Sequence, residues 1–168
     1  MKKYMNYLFI AIVALLLTAC SNTQKPLSTK TFGELMEAEG YEIILQEDAS
    51  TSISVALNDD TNVLFFTGKD NVAAKAFYQT LAKTLKEQNA ENSEATITEN
   101  EAVNSLELII TTTDDTSYHH LIWHDARVLF ITTIGENTRA KSEAILEELH
   151  FEAISATKEE STEKTESE

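Results

Sequence analysis

The sequence predicts an α+β fold in which about three helices pack on one face of an antiparallel sheet. Segments with helical spacing are interleaved with segments rich in β-branched and aromatic residues. Short clusters of Asn and Asp separate neighbouring extended segments, which favours antiparallel hairpins. The 168 residues include only four glycines and one proline, so compact turns should join regular elements.

The first half of the folded segment should hold one short helix and a hairpin. Thr31 is placed to cap the helix, with Glu34 as its capping-box partner, and Gly40 should end it. An extended segment follows, and two strands separated by an Asn-Asp-Asp-Thr turn then form the hairpin. The three extended segments are Tyr41–Leu45, Ser52–Leu57 and Asn62–Thr67.

The second half should begin with a longer helix that Asp70 caps and that continues to about Gln88. A polar strand and a three-stranded antiparallel meander should follow. These four segments are Ala95–Glu101, Leu106–Thr113, Thr116–His124 and Arg127–Ile134. The last helix should begin at Asn137 or Thr138. Together the helices should cover one side of the sheet.

Two parts of the chain are similar in sequence. Val63–Lys75 is VLFFTGKDNVAAK and Val128–Lys141 is VLFITTIGENTRAK. Each combines a strand, a glycine turn and the start of a capped helix. Either the chain contains an internal duplication, or two separate units satisfy the same packing requirement.

Composition and charge exclude some classes of partner. The chain has 28 acidic and 13 basic residues, which gives a formal net charge of -15. Because such a surface repels phosphate backbones, we expect no nucleic-acid partner. The single cysteine excludes an internal disulfide and a thiolate zinc cluster.

The first 20 residues consist of three parts in order. Two lysines lie near the start, Leu8–Leu17 is the apolar run LFIAIVALLL, and Thr18 and Ala19 precede Cys20. This order is typical of a secretory signal peptide. The apolar run is shorter than the roughly 20 residues that a membrane-spanning helix needs.

Leu17, Thr18, Ala19 and Cys20 together resemble the lipobox of bacterial lipoproteins. The resemblance implies a diacylglyceryl thioether on Cys20, cleavage before Cys20, and a domain held on the extracytoplasmic side of the cell membrane. Two acyl chains anchor a protein stably, whereas one binds only marginally. The rest of the chain broadly resembles small uncharacterised lipoproteins of Gram-positive bacteria.

These observations predict four segments. Residues 1–19 form the signal peptide, 20–30 the lipidated cysteine with a flexible tether, and 31–154 a single α+β domain. Residues 155–168 consist almost wholly of Lys, Glu, Ser and Thr. Because they offer no apolar face to bury, we expect a disordered acidic tail.

The segment SYHHLIWHD contains three of the four histidines and the only tryptophan. In a strand, alternation places Tyr118, His120 and His124 on one face and Trp123 on the other. His120 and His124 would lie roughly 13 Å apart, too far to share a metal ion, so we expect no metal and no cofactor. These four are the candidate ligand-binding residues, and the alternative is that they are ordinary sheet residues.

The sequence predicts a binding or interaction role, with an envelope protein or a cell-wall polymer as partner. It contains neither a nucleophile elbow nor a phosphate loop, so it predicts no catalytic residue. Two alternatives remain open: a small hydrolase-like enzyme that uses His120 or His124 with Asp125, and a small-molecule-binding lipoprotein. An interaction module should expose an apolar patch, for instance around Trp123 or around Phe65 and Phe66.

Overall fold

The computed structural model describes residues 27–47, 51–113 and 116–151. In chain order its elements are α1 (Thr29–Ala38), β1 (Glu42–Glu47), β2 (Ser52–Leu57), β3 (Thr61–Thr67), α2 (Asn71–Asn89), β4 (Ala95–Ala102), β5 (Ser105–Thr112), β6 (Ser117–His124), β7 (Arg127–Ile134) and α3 (Thr138–Glu148). The predicted α+β class is therefore confirmed. The predicted signal peptide, Cys20 and the predicted tail lie outside the described residues.

The seven strands form one antiparallel sheet in the order β1-β2-β3-β7-β6-β5-β4. β1 to β3 form one meander and β4 to β7 form a second. β3 and β7 join the two meanders, with Leu64 opposite Phe130. The predicted hairpin and three-stranded meander are both present, and β1 and β4 each extend one of them to a sheet edge.

The helices lie on both faces of the sheet, which differs from the predicted single covered face. α1 and α3 share one buried cluster with Phe65, and we call this side the α1/α3 face. α2 shares a second buried cluster with Phe66, and we call this side the α2 face. Because successive strand residues point to opposite faces, two adjacent buried phenylalanines require cover on both sides.

The two similar segments lie next to each other in the sheet but do not occupy equivalent positions. Val63 belongs to the cluster of the α1/α3 face, and Val128 belongs to the cluster of the α2 face. Val63 is opposite Ile131 in the β3–β7 pair, whereas Val128 is opposite Phe66. The helices that follow the two segments accordingly pack on opposite faces, which favours two separate packing units over a duplication.

α1 begins earlier than the sequence predicted. Ser28 is the N-cap, and its Oγ accepts a hydrogen bond from the Thr31 backbone N at 3.1 Å. Thr31 thus lies in the first turn, and the predicted capping box with Glu34 does not define the helix start. Gly40 follows the helix with φ 86°, as a glycine at a helix end commonly does.

α2 begins where the sequence predicted. Asp70 is its N-cap, and Asp70 Oδ1 accepts a hydrogen bond from the Ala73 backbone N at 2.8 Å. This bond satisfies one of the amide groups that the first turn of a helix leaves without a partner.

Replacing Asp70 by Ala should lower the free energy of unfolding by about 1 kcal/mol, because the Ala73 amide loses its acceptor. Urea denaturation followed by circular dichroism measures this change. Asn71→Ala, at the next exposed position, is the matched control and should cost less than about 0.5 kcal/mol. Equal losses in the two variants would contradict the capping role.

Candidate functional site

β6 carries the residues that the sequence singled out, and its alternation is as predicted. Ile122 belongs to the cluster of the α1/α3 face and Trp123 to that of the α2 face. Tyr118 and His120 therefore share the α1/α3 face, with His124 at the end of the strand. The rings of Tyr118 and His120 are perpendicular, with centroids 5.8 Å apart.

His120 belongs to a buried polar cluster that links three strands. His120 Nε2 lies 2.6 Å from Glu107 Oε1 on β5, and Asn100 Nδ2 on β4 donates to Glu107 Oε2 at 2.7 Å. His120 and Glu107 are each only 3% exposed. With Glu107 ionised, His120 Nε2 carries the proton of this hydrogen bond. Both carboxylate oxygens therefore have donors.

The surroundings of this cluster set its protonation. Burial acts to raise the pKa of Glu107, but hydrogen bonds from His120 and Asn100 outweigh burial, and the pKa lies below its ordinary value. Burial raises the pKa of Tyr118. On the opposite face, burial lowers the pKa of His119. At neutral pH Glu107 is thus charged, the Tyr118 phenol keeps its proton and His119 is neutral.

A carboxylate bound to an imidazole can orient a general base, but a base must reach the proton that it removes. Neither His120 nor Glu107 is accessible to a substrate at its present depth. His120 Nδ1, the second ring nitrogen, is buried and has no hydrogen-bond partner among the described residues. The arrangement holds β4, β5 and β6 together, as a buried hydrogen-bond network with satisfied carboxylate oxygens does.

Trp123 and His124, the other two predicted residues, lie apart from this cluster. Trp123 is buried on the α2 face, and Lys75 Nζ lies 5.0 Å from its ring centroid. His124 Nε2 lies 3.4 Å from Asp125 Oδ2 at the β6–β7 turn. The predicted four residues therefore do not form one site, and His120 pairs with Glu107 rather than with Asp125.

Sequence reasoning missed Glu107 and Asn100. The available signal was the position of Glu107 inside the apolar strand segment SLELII, since a buried carboxylate needs donors. The identity of those donors depends on strand register. Glu107 is opposite Ile122 in the β5–β6 pair, which places His120 at the diagonal position on the same face.

Two clefts beside the helices contain charged groups that already pair with each other. A cleft of about 620 Å³ lies between α2 and the β4–β5 hairpin, and there Lys86 Nζ donates to Glu99 Oε1 at 2.8 Å. A second cleft of about 390 Å³ lies between α1 and α3, where Lys141 Nζ donates to Asp60 Oδ2. In each cleft the lysine is already paired with a carboxylate, so it is not free to bind an anionic ligand.

An exposed apolar surface lies at the β1 edge of the sheet. α2 packs on β6 and β7 and leaves much of the α2 face of β1 and β2 uncovered. Ile44 is 51% exposed on that face, beside half-buried Val55 and Leu57. Leu45, on the α1/α3 face, is 52% exposed. We call Ile44, Leu45, Val55 and Leu57 the apolar edge.

The apolar edge is not where the sequence predicted an exposed patch. Trp123, Phe65 and Phe66 are all buried, because both faces of the central strands are covered by helices. The strand faces that remain open to solvent belong to the outer strands, and the position of these strands depends on strand order.

A groove of about 430 Å³ runs along the apolar edge between α1 and β1. Leu45 lies in its wall, and Gly33 of α1 approaches β1, where an added Cβ would lie 3.7 Å from Ile43 Cγ2. The charged residues that line the groove are Lys30, Glu34, Glu37 and Glu47. The groove therefore carries more negative than positive charge.

Within residues 27–47, 51–113 and 116–151, no group of three His, Cys, Asp or Glu side chains could hold a metal ion. In the same ranges no helix is both long enough and apolar enough to cross a membrane.

Comparison with known proteins gives little further information. No protein-family model matches the sequence, and no curated protein matches it. Among solved structures, the chain is similar to the crystal structure of a GTP binding regulator from Thermotoga maritima. The identity is 15%, the TM-score is 0.39, and the match covers 73% of this chain and 84% of that chain. A likeness this distant carries no argument about function.

Proposed function

We propose that this protein is a lipid-anchored extracytoplasmic binding protein that contacts another protein of the cell envelope through the apolar edge. The observation that supports the proposal is the exposure of Ile44 and Leu45, each about half exposed at the centre of an edge strand. Contiguous exposed apolar patches mark surfaces that bind a partner or a ligand. The burial of His120 also favours binding over catalysis.

The leader supports the location. Leu27 follows Cys20 by seven residues and packs against the cluster of the α1/α3 face. Seven residues span at most about 25 Å when fully extended. A lipid on Cys20 would therefore hold the domain, and with it the apolar edge, close to the membrane surface, where envelope proteins meet it.

Replacing Cys20 by Ala should move the protein from the membrane fraction to the soluble fraction, because the thiol that would carry the lipid is gone. Immunoblots of fractionated cells measure this change. Ser21→Ala, at the neighbouring position, is the control and should stay in the membrane fraction. Unchanged fractionation of Cys20→Ala would contradict the anchor.

Contact through the apolar edge can be tested in living cells with a photoreactive amino acid at position 44. We expect one discrete adduct with a membrane-associated or secreted protein, identified by mass spectrometry. The matched control carries the same photoreactive residue at position 97, on the opposite edge strand, where Ile97 is 39% exposed. No adduct at position 44, or the same adduct at both positions, would contradict the proposed interface.

A further inference from the structure

We propose that β1 accepts an extended cationic segment of the partner protein, which pairs with β1 as an eighth strand of the sheet. This inference rests on the proposed function and names the chemistry of the partner. It depends on the backbone of the edge strand, on the apolar side chains at its centre and on the charge around it.

The backbone of β1 is available for pairing. Within the described residues β1 pairs only with β2. In an antiparallel pair, alternate residues turn their N–H and C=O groups away from the partner strand. Half of the β1 residues therefore present these groups at the sheet edge. Proteins commonly protect such an edge with proline or charged side chains, and β1, EIILQE, has no proline and has charges only at its two ends.

The two edges of the sheet differ in their side chains. β4, ATITENEA, has Ile97 as its single large apolar residue, and its other residues are Thr, Glu, Asn and Ala. β1 has three consecutive large apolar residues at its centre. Ile44 lies on the uncovered part of the α2 face, and Leu45 lies in the groove beside α1. An added strand would find apolar neighbours on both faces at β1 and mainly polar ones at β4.

The charge around β1 selects a cationic occupant. The groove is lined by Glu34, Glu37 and Glu47. Lys30 is the single cation among its lining residues, and its Nζ lies 3.6 Å from Glu34 Oε1. Glu42 lies at the other end of the strand. Lys or Arg side chains of an added strand would meet these carboxylates, whereas acidic side chains would be repelled.

A second copy of this chain is a poor occupant for the same reason. Antiparallel pairing of two β1 strands about a two-fold axis would bring Glu42, Glu47 and the groove glutamates of both copies to one seam. Like charges brought together at an interface oppose association. Pairing with β4 of another copy would bring in Glu99 and Glu101, and each chain has a net charge of -15.

A ten-residue peptide that alternates Val and Lys tests this inference against the full-length protein in detergent micelles. Fluorescence anisotropy of the labelled peptide at about 0.15 M salt, where long-range attraction is screened, gives its Kd. Ile44→Lys should weaken binding at least tenfold, because it places a cation where the peptide should lie. Ile97→Lys adds the same charge at the opposite edge and should change Kd less than twofold.

A second peptide separates strand pairing from charge attraction. Methylation of every backbone nitrogen keeps the side chains and charges but removes the N–H donors, so this peptide should not bind at concentrations that saturate the parent. Equal binding of the two peptides would overturn the proposal. Equal weakening of peptide binding by Ile44→Lys and Ile97→Lys would overturn it too. Melting curves of both variants verify that they are folded.

The photocrosslink at position 44 distinguishes this inference from the proposed function. A partner that is captured at position 44 through a segment without basic residues would overturn the cationic strand and leave the proposed function intact. Capture of a basic, extended segment at position 44 would support both.

Discussion

Replacing His120 by Leu should lower the free energy of unfolding at pH 7 by about 3 kcal/mol, because the buried Glu107 carboxylate loses a hydrogen-bond donor and an unsatisfied buried charge costs more than a neutral group. Glu107 would keep only the hydrogen bond from Asn100 and would remain 3% exposed. One oxygen of the buried carboxylate would then have no donor, and Leu would add none. Urea denaturation followed by circular dichroism measures the loss.

Two further variants show whether the loss comes from the uncompensated carboxylate. His124→Leu makes the same chemical change on β6 at a half-buried position and should cost less than about 1 kcal/mol. The double variant His120→Leu, Glu107→Leu removes the buried carboxylate together with its donor and should recover much of the stability. A double variant less stable than His120→Leu would contradict this explanation.

The free energy of unfolding should depend on pH through Glu107, in a direction that its pKa sets. Because hydrogen bonds hold the pKa of Glu107 below its ordinary value, its hydrogen-bonded carboxylate contributes stability above that value, and the contribution is lost as pH falls through the pKa of the folded protein. In His120→Leu the carboxyl can bind a proton in acid and become neutral. The stability difference between wild type and His120→Leu should therefore shrink below about pH 4. A difference that is constant between pH 7 and pH 3 would contradict this.

Replacing Phe65 by Ala should cost about 3–5 kcal/mol, as removal of a fully buried aromatic side chain usually does. Phe65 stacks on Phe32 of α1, with ring centroids 5.3 Å apart, and meets the edge of Phe151 at 6.4 Å. One side chain thus joins the sheet to α1 and to the residue beyond α3. The loss should appear as a lower urea midpoint with an unchanged slope.

Phe77→Ala is the matched control for Phe65→Ala. Phe77 lies on α2 and stacks on Phe66 with ring centroids 4.1 Å apart, but it is only half-buried. Since part of its surface already contacts water, its removal should cost about half as much as that of Phe65. Equal losses at the two positions would contradict the central role of Phe65.

The local elements could be predicted from the order of residues alone, because their signals are short-range. Asp70 marks the start of α2 through a bond to an amide three residues later, and Gly40 follows α1 with a positive φ. The alternation of β6 placed Tyr118 and His120 on one face and Trp123 on the other. These features depend on neighbours within a few residues, so the order of residue types was sufficient to predict them.

Which of these elements contact each other depends on long-range packing. Strand order brings β3 beside β7, and strand register brings Glu107 of β5 to His120 of β6. The same order leaves β1 at an edge with Ile44 exposed. Alternation along a strand defines two faces but does not say which face a helix covers or which strand lies beside it. Both depend on the packing of segments far apart in the chain, and local residue preferences contain no information about that packing.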